Sequence, residues 1–303
     1  MEQALRRIFP PHIYPWFLII VLTLTWGSSF IMLKKALQVY SPEQAVAGRM
    51  IVAGLAFLPY ALRRVRQFPR KFWLRVTAFA LLANVLTSFL YATAQTSIDS
   101  GLNGIINTLT PLMTLLVGIL FYREKGRLFQ WLGLGLGFMG TIALLYASGQ
   151  ATVNSVNLFA LVAIMATVCN GFTANMLKFN LKGLSALDIS GMAFLVTFPL
   201  AIGFFSFTGG FSLAFSGAET FQATAYLILL GLLANALALI LITRLIQLTS
   251  PVFATLTTYL IPLVAVSWGF LDGEKIGAGQ LAAMGVILVS VYLINRTVKP
   301  QKA

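Results

Sequence analysis

The chain lacks most of what a soluble protein uses to cover its surface or to do chemistry. Its 303 residues include one cysteine, one histidine and only eight acids. A lone Cys169 excludes a disulfide framework. One Cys and one His also exclude an ordinary transition-metal site, which needs three or four such ligands converging. His12 stands between Pro11 and Ile13 in the N-terminal tail, away from any partner for catalysis. Charged residues make up 10% of the chain, against about 25% in a typical soluble domain. In their place are 58% hydrophobic residues, 24 of them Phe, which lower free energy only when removed from water. The solvent implied for most of the chain is lipid.

A net charge of +13 suits a nucleic-acid ligand only if the bases form one exposed face. Here they are scattered between apolar segments, and no nucleic-acid partner is expected. Ten apolar runs follow one another at 15–37, 43–62, 72–94, 98–121, 128–147, 155–177, 187–208, 221–245, 248–270 and 276–294. Each is about as long as a helix needs to cross a bilayer, roughly 20 residues. Barrel strands would be half that length and would alternate, whereas a helix pairs its own amides where lipid offers no partner. Arg6 and Arg7 precede the first run, which is too long for the apolar part of an export signal and reads as a span. The longest polar stretch, 63–71, leaves no room for a soluble domain.

With the N-terminus inside, 17 of the 21 Lys and Arg residues fall on the cytoplasmic side, with three acids. Lys34, Lys35 and Lys275 fall outside with five acids, and Arg49 alone lies within a span. Basic loops stay inside, so both termini are expected in the cytoplasm. The same basic loops would meet anionic lipid headgroups of the inner leaflet.

The two halves match in order. Leu82-Ala83-Asn84 returns as Leu233-Ala234-Asn235, and Pro111-Leu112 returns as Pro262-Leu263, each 151 residues on. Glu124-Lys125 returns as Glu274-Lys275, and Met32-Leu33-Lys34 as Met176-Leu177-Lys178, with Gly27 opposite Gly171. An ordered series of this kind marks an internal repeat. The expected units are 1–149 and 150–303, five spans each, integrated in one transmembrane domain. Because five is odd, the second unit must enter the membrane inverted relative to the first. The expected fold is therefore an all-α integral membrane protein of ten transmembrane helices in two inverted-topology repeats, the typical build of secondary carriers.

Trp26-Gly27-Ser28-Ser29-Phe30, Ser41-Pro42-Glu43 leading to Arg49, Thr110-Pro111 and the turns at Glu124 and Glu274 resemble the drug/metabolite transporter superfamily. Within it, the pattern is similar to the EamA-type ten-helix transporters over nearly the whole chain. The resemblance implies a carrier of small organic molecules with aromatic residues in its cavity, and favours amino acids or related metabolites moving outward. The halves are not equivalent, since Asn170-Gly171 stands where the first half has Trp26-Gly27 and Arg49 has no basic counterpart near Ala193.

Polar side chains inside apolar spans must find a partner or water, which makes them the markers of a hydrated path. They are Ser28, Ser29, Arg49, Asn84, Tyr91, Gln95, Asn103, Asn107, Asn170, Asn175, Asn235, Arg244, Gln247 and Tyr259. Arg49 is the costliest, since its guanidinium stays charged when desolvated. It either lines the path and pairs with a substrate carboxylate, or snorkels or reaches Glu43, although positions six apart do not share a helix face. Asn84 and Asn235 are repeat-equivalent and either flank a central site or bind helices together. Asn103 with Asn107, and Asn170 with Asn175, have the same two readings. Trp26, Tyr91 and Tyr259 offer flat walls to a substrate or ordinary helix packing. Pro111 and Pro262 are matched helix interruptions that bend or gate. Gly133, Gly135, Gly137 and Gly140 mark a close helix contact, since no Lys-Ser/Thr follows to make a phosphate loop.

The expected function is secondary transport of a small polar organic metabolite by alternating access, with no cofactor and no metal. No acid sits mid-span as an obvious proton carrier, so a coupled proton, solute exchange and uniport all stay open. The alternative is an integral membrane enzyme acting on a lipid or isoprenoid, for which the stock of acids and bases is thin. The expected partners are the substrate and membrane lipid, around a monomer or weak homodimer.

Overall fold

The computed structural model describes residues 13–95, 106–147, 158–261, 263–264 and 277–295, and every regular element among them is a helix. The first repeat supplies α1 (Tyr14–Ala36), α2 (Pro42–Arg64), α3 (73–95), α4 (Thr110–Tyr122) and α5 (Leu128–Ala147). The second supplies α6 (Leu158–Phe179), α7 (Ala186–Phe207), α8 (218–248), α9 (Pro251–Thr255) and α10 (Ala278–Asn295). After α9 the chain stays helical over 257–261. Five stretches are long and apolar enough to cross a bilayer: Pro42–Gln67, Arg70–Ala94, Phe159–Phe179, Ala186–Phe207 and Thr220–Leu248. Tyr14–Ser29, Thr110–Tyr122, Leu128–Leu144, Pro251–Ile261 and Ala278–Ile294 are shorter apolar helices. The expected spans 98–121 and 248–270 run partly through 98–105 and 265–270, outside the described residues.

The second helix of each repeat starts on a serine cap. Ser41 Oγ accepts from the Gln44 amide at 3.2 Å while Gln44 Oε1 accepts from the Ser41 amide at 3.0 Å, which satisfies two orphan donors of α2. Ser185, 144 residues later, caps α7 by accepting from the Asp188 amide at 3.0 Å.

These two helices run antiparallel and are tied at both ends. Arg64 Nε donates to Asp188 Oδ1 at 2.9 Å, and Gln44 Nε2 donates to the Thr208 carbonyl at 2.8 Å. Gln44 corresponds to Asp188 and Arg64 to Thr208 at the same 144-residue offset, so one pair of repeat positions meets at each end with different chemistry. Midway between them Gly54 abuts the ring of Phe198, again the residue 144 positions on, and a Cβ at 54 would overlap that ring.

α3 and α8 each widen into a π turn, at Leu81–Leu86 and Leu230–Leu237. Such a turn moves backbone pairing from four residues back to five and is found mostly where function re-aims side chains. Thr87 Oγ1 reinforces the first, donating to the Leu82 carbonyl at 2.7 Å.

The first helix of each repeat packs against the fourth helix of the other. A Cβ on Gly171 would lie 2.9 Å from the Met113 carbonyl carbon and oxygen, and one on Gly27 would lie 2.7 Å from Val264 Cγ1. Met113 and Val264 are themselves 151 residues apart. α5 and α10 form a separate close pair, with Gly133, Gly137 and Gly140 set against Ile294, Ser290 and Ile287. Gly135, expected in the same contact, has nothing within 4 Å and faces away. The main core joins both repeats through Leu18, Leu22, Phe79, Leu115, Ile189, Met192 and Leu245, all buried. Large apolar side chains such as Leu74 and Leu120 point outward, as a lipid solvent permits.

Candidate functional site

A cavity of about 330 Å³ lies between the repeats, within the size range of small-molecule sites. Its wall is drawn from α1, α2, α3, the turn leading into α4, α6, α7, α8 and the segment 255–261, with nothing from α5 or α10. Among the lining side chains Arg49 is the one charged group, with four asparagines, at 84, 107, 170 and 235, around it. Leu33, Val46, Phe79, Leu239, Ile242 and Ile246 make up much of the apolar remainder. No aspartate or glutamate lines the cavity among the described residues.

Both π turns open onto this space. Asn84 sits within the first and Asn235 within the second, and both line the cavity. Trp26 is fixed from the other side, its indole Nε1 donating to the Ala234 carbonyl in the second π turn at 3.2 Å. Ser29, one turn along α1, donates to the Trp26 carbonyl at 2.7 Å. The counterpart of Trp26, Asn170, behaves differently. Its amide donates to Tyr91 Oη at 3.4 Å, and Tyr91 donates to Asn107 Oδ1 at 2.9 Å, where Thr110 Oγ1 also donates at 3.3 Å. This chain of bonds joins α6 to α3 and to the start of α4.

Two buried donors on the cavity wall have no hydrogen-bond partner among the described residues, Arg49 Nε and Asn84 Nδ2. Glu43 does not pair with Arg49; the ion pair described is Arg64 with Asp188. An unpaired guanidinium in an apolar span carries a desolvation cost of several kcal/mol. Arg49 and Asn84, both on the cavity wall, thus each bury a donor with no partner among the described residues.

Three further residues singled out from the sequence lie elsewhere. Asn175 is buried between helices, donating to the Thr114 carbonyl at 2.9 Å and the Gly171 carbonyl at 2.8 Å. Tyr259 is fully buried and donates to the Leu134 carbonyl of α5 at 3.0 Å. Neither side chain is part of the cavity wall, because each satisfies its polar group on a neighbouring helix. Gln247 likewise donates to the Leu184 carbonyl at 2.9 Å. Pro111 occupies the first turn of α4, after a break at 108–109, where its missing amide hydrogen costs nothing. The side chain of Gln95, and Asn103 and Pro262 as a whole, lie outside the described residues.

Sequence reasoning missed the hydroxyl lining. Thr87, Ser88, Thr110, Thr173, Thr255, Thr257 and Thr258 all reach the cavity. Threonines pass unnoticed in apolar spans because each satisfies itself on the preceding turn, as Thr258 does on the Thr255 carbonyl at 2.8 Å. The run Thr255-Leu256-Thr257-Thr258 was the available signal. The wall offers no paired nucleophile and base, and no cluster of three or more His, Cys, Asp or Glu occurs among the described residues.

A cavity built jointly by two repeats invites comparison with families made of two copies of one unit. The sequence pattern of the EamA-like transporter family matches residues 14–146 and again 157–296. The chain belongs to the EamA-like transporter family. As an EamA-like protein it is a membrane transporter, which accords with the five described helices long and apolar enough to cross a bilayer. The inner membrane transporter YedA of Escherichia coli is 27% identical over 280 residues, which cover 90% of this chain and 88% of YedA. Transporter YdfC of Bacillus subtilis is 23% identical over 254 residues, 80% of this chain and 78% of its own. Protein PagO of Salmonella typhimurium is 22% identical over 91% of both chains. A protein of known crystal structure shares the fold with a TM-score of 0.69 at 16% identity, over 91% of this chain and 94% of its own.

Proposed function

We propose that this EamA-like protein is a secondary carrier that moves a small polar organic metabolite across the inner membrane by alternating access. Ten transmembrane helices in two inverted sets of five, with both termini in the cytoplasm, are the frame of the reading. The observation that carries it is the central cavity, walled by equivalent helices of both repeats, with Arg49 on its wall and unpaired at Nε among the described residues. The antiparallel pairing of α2 with α7, and the contact of each repeat's first helix with the other's fourth, support two halves that exchange conformations about a shared axis.

Trp26, Ser29, Arg49, Asn84, Tyr91, Asn107, Asn170 and Asn235 are the proposed substrate-facing residues. Arg49 receives a carboxylate, the asparagines orient polar groups, and Trp26 and Tyr91 give flat contact area. Export of amino acids or related compounds is the class that family resemblance favours. With no acid on the described wall, flux by exchange or uniport needs fewer parts than coupling to a proton.

The test combines binding with flux. A solute that binds only the folded carrier raises its apparent stability, so purified protein is screened by thermal shift against amino acids and related carboxylates, nucleosides, sugars and cationic drugs. Hits are then followed as labelled solutes in proteoliposomes. Saturable, counter-solute-stimulated flux of a carboxylate is the expected result. Vesicles that move no hit faster than protein-free controls would remove the carrier reading.

A further inference from the structure

The cavity's charges and donors discriminate within the proposed substrate class. Arg49 places one positive charge on the wall and no carboxylate answers it among the described lining residues. Two wall residues each bury a donor with no partner among the described residues, Arg49 at Nε and Asn84 at Nδ2. The nearby acceptor Asn107 Oδ1 is already taken twice, by Tyr91 and Thr110, and the Ala234 carbonyl is taken by Trp26. An α-amino acid would set its carboxylate on Arg49 and thereby hold its ammonium within a few ångströms of the guanidinium. That second cation would meet like-charge repulsion with no acid to offset it, in surroundings of low dielectric. A monoanion of the same skeleton leaves the loaded site neutral and brings no second cation.

We infer that the cavity selects organic monoanions, carboxylates such as 2-oxo or 2-hydroxy acids with an aliphatic or aromatic body, over the corresponding zwitterionic amino acids. The inference rests on the carrier reading and narrows its substrates from amino acids and their relatives to the relatives that lack the ammonium group. Arg49 and Asn84 hold the carboxylate, and Leu239 and Ile242 receive the apolar body.

Matched pairs test it: phenylpyruvate against phenylalanine, and 4-methyl-2-oxopentanoate against leucine, by thermal shift of the full chain and by exchange in proteoliposomes. The oxo acids are expected to bind and exchange at least about tenfold better than their amino-acid partners. Arg49→Gln is expected to abolish the response to both oxo acids. Asn235→Asp sets an acid on the wall outside the pair that holds the carboxylate and is expected to shift the preference toward leucine and phenylalanine, which keeps the test decisive if Arg49→Gln fails to fold. Amino acids that bind as well as or better than the oxo acids in the unaltered protein would overturn the inference while leaving a carrier. Absence of binding by all four compounds would overturn it as well. Binding with the expected selectivity but without flux would retain the selectivity and remove the carrier reading.

Discussion

The two repeats share one backbone plan and differ in the few side chains that face their common centre. Each has a serine-capped second helix, a π turn carrying an asparagine in its third, and a first-helix glycine set against the other repeat. Yet Trp26 is matched by Asn170, Arg49 by the fully buried Ala193, and the Arg64–Asp188 ion pair by the neutral bond from Gln44 to the Thr208 carbonyl. Backbone symmetry of this kind is what the proposed exchange between two conformations requires. The unequal side chains give the cavity one charged flank, which suits the proposed substrate with an anionic head and an apolar tail.

The sharpest way to break this asymmetry is Arg49→Ala, which makes the position match Ala193. Carboxylate flux in proteoliposomes should fall by about a hundredfold or more, the loss of a charge-assisted contact of about 3 kcal/mol. The protein should still elute as a single folded species from gel filtration, since an unpaired guanidinium contributes no net stability. Normal flux would show that the first repeat's cation is not the substrate's anchor.

The two ends of the α2–α7 pair come next. Asp188 accepts from Arg64 and Tyr60 and from Ser185 Oγ, at 2.8–2.9 Å, whereas Gln44 makes one bond across the helix pair. Asp188→Ala should lower the thermal midpoint in detergent by roughly 5 °C and Gln44→Ala by roughly 2 °C. Equal losses would mean that the ionic end is no firmer than the neutral one.

The glycine contacts should not divide in that way. An added methyl at 171 meets backbone atoms of Met113 and Thr114, while at 27 it meets Cγ1 and Cβ of Val264. A rotamer change moves Cγ1 but not Cβ, so Gly171→Ala and Gly27→Ala are each expected to cost about 1–3 kcal/mol. The two are compared through thermal midpoints measured side by side. Smallest of all is Tyr91→Phe, which removes the hydroxyl linking Asn170 to Asn107 and should cost about 1 kcal/mol, with a modest drop in solute affinity. A Trp26→Phe variant measured beside it compares the two flanks of the cavity directly.

Much of the frame was legible because lipid imposes simple rules on a sequence. Long apolar runs mark the helices, and a nearly constant offset marks the repeat; Arg49, Asn84 and Asn235 stood out because polar groups are rare in such runs. The cavity wall was legible only in part. Asn175 and Tyr259 carry the same polar signal as Asn107 and Tyr91, yet they bond to neighbouring backbones, since a polar atom within a span reports only that it has some partner. Thr87 lines the cavity but gives no signal, because its hydroxyl is satisfied within its own helix. The tie between Arg64 and Asp188 joins positions 124 residues apart and has no local mark.

The sequence by itself determined that this chain lives in a membrane, that its helices come in two related sets and that one arginine lies among apolar residues. Those properties follow from composition and periodicity, which act along the chain. Only the tertiary structure decided which polar groups face one another, that both π turns open on the same cavity, and that Arg49 Nε and Asn84 Nδ2 find no partner among the described residues. Hydrogen bonds are completed between helices distant in sequence, and an unpaired donor is defined by what fails to come near it in space.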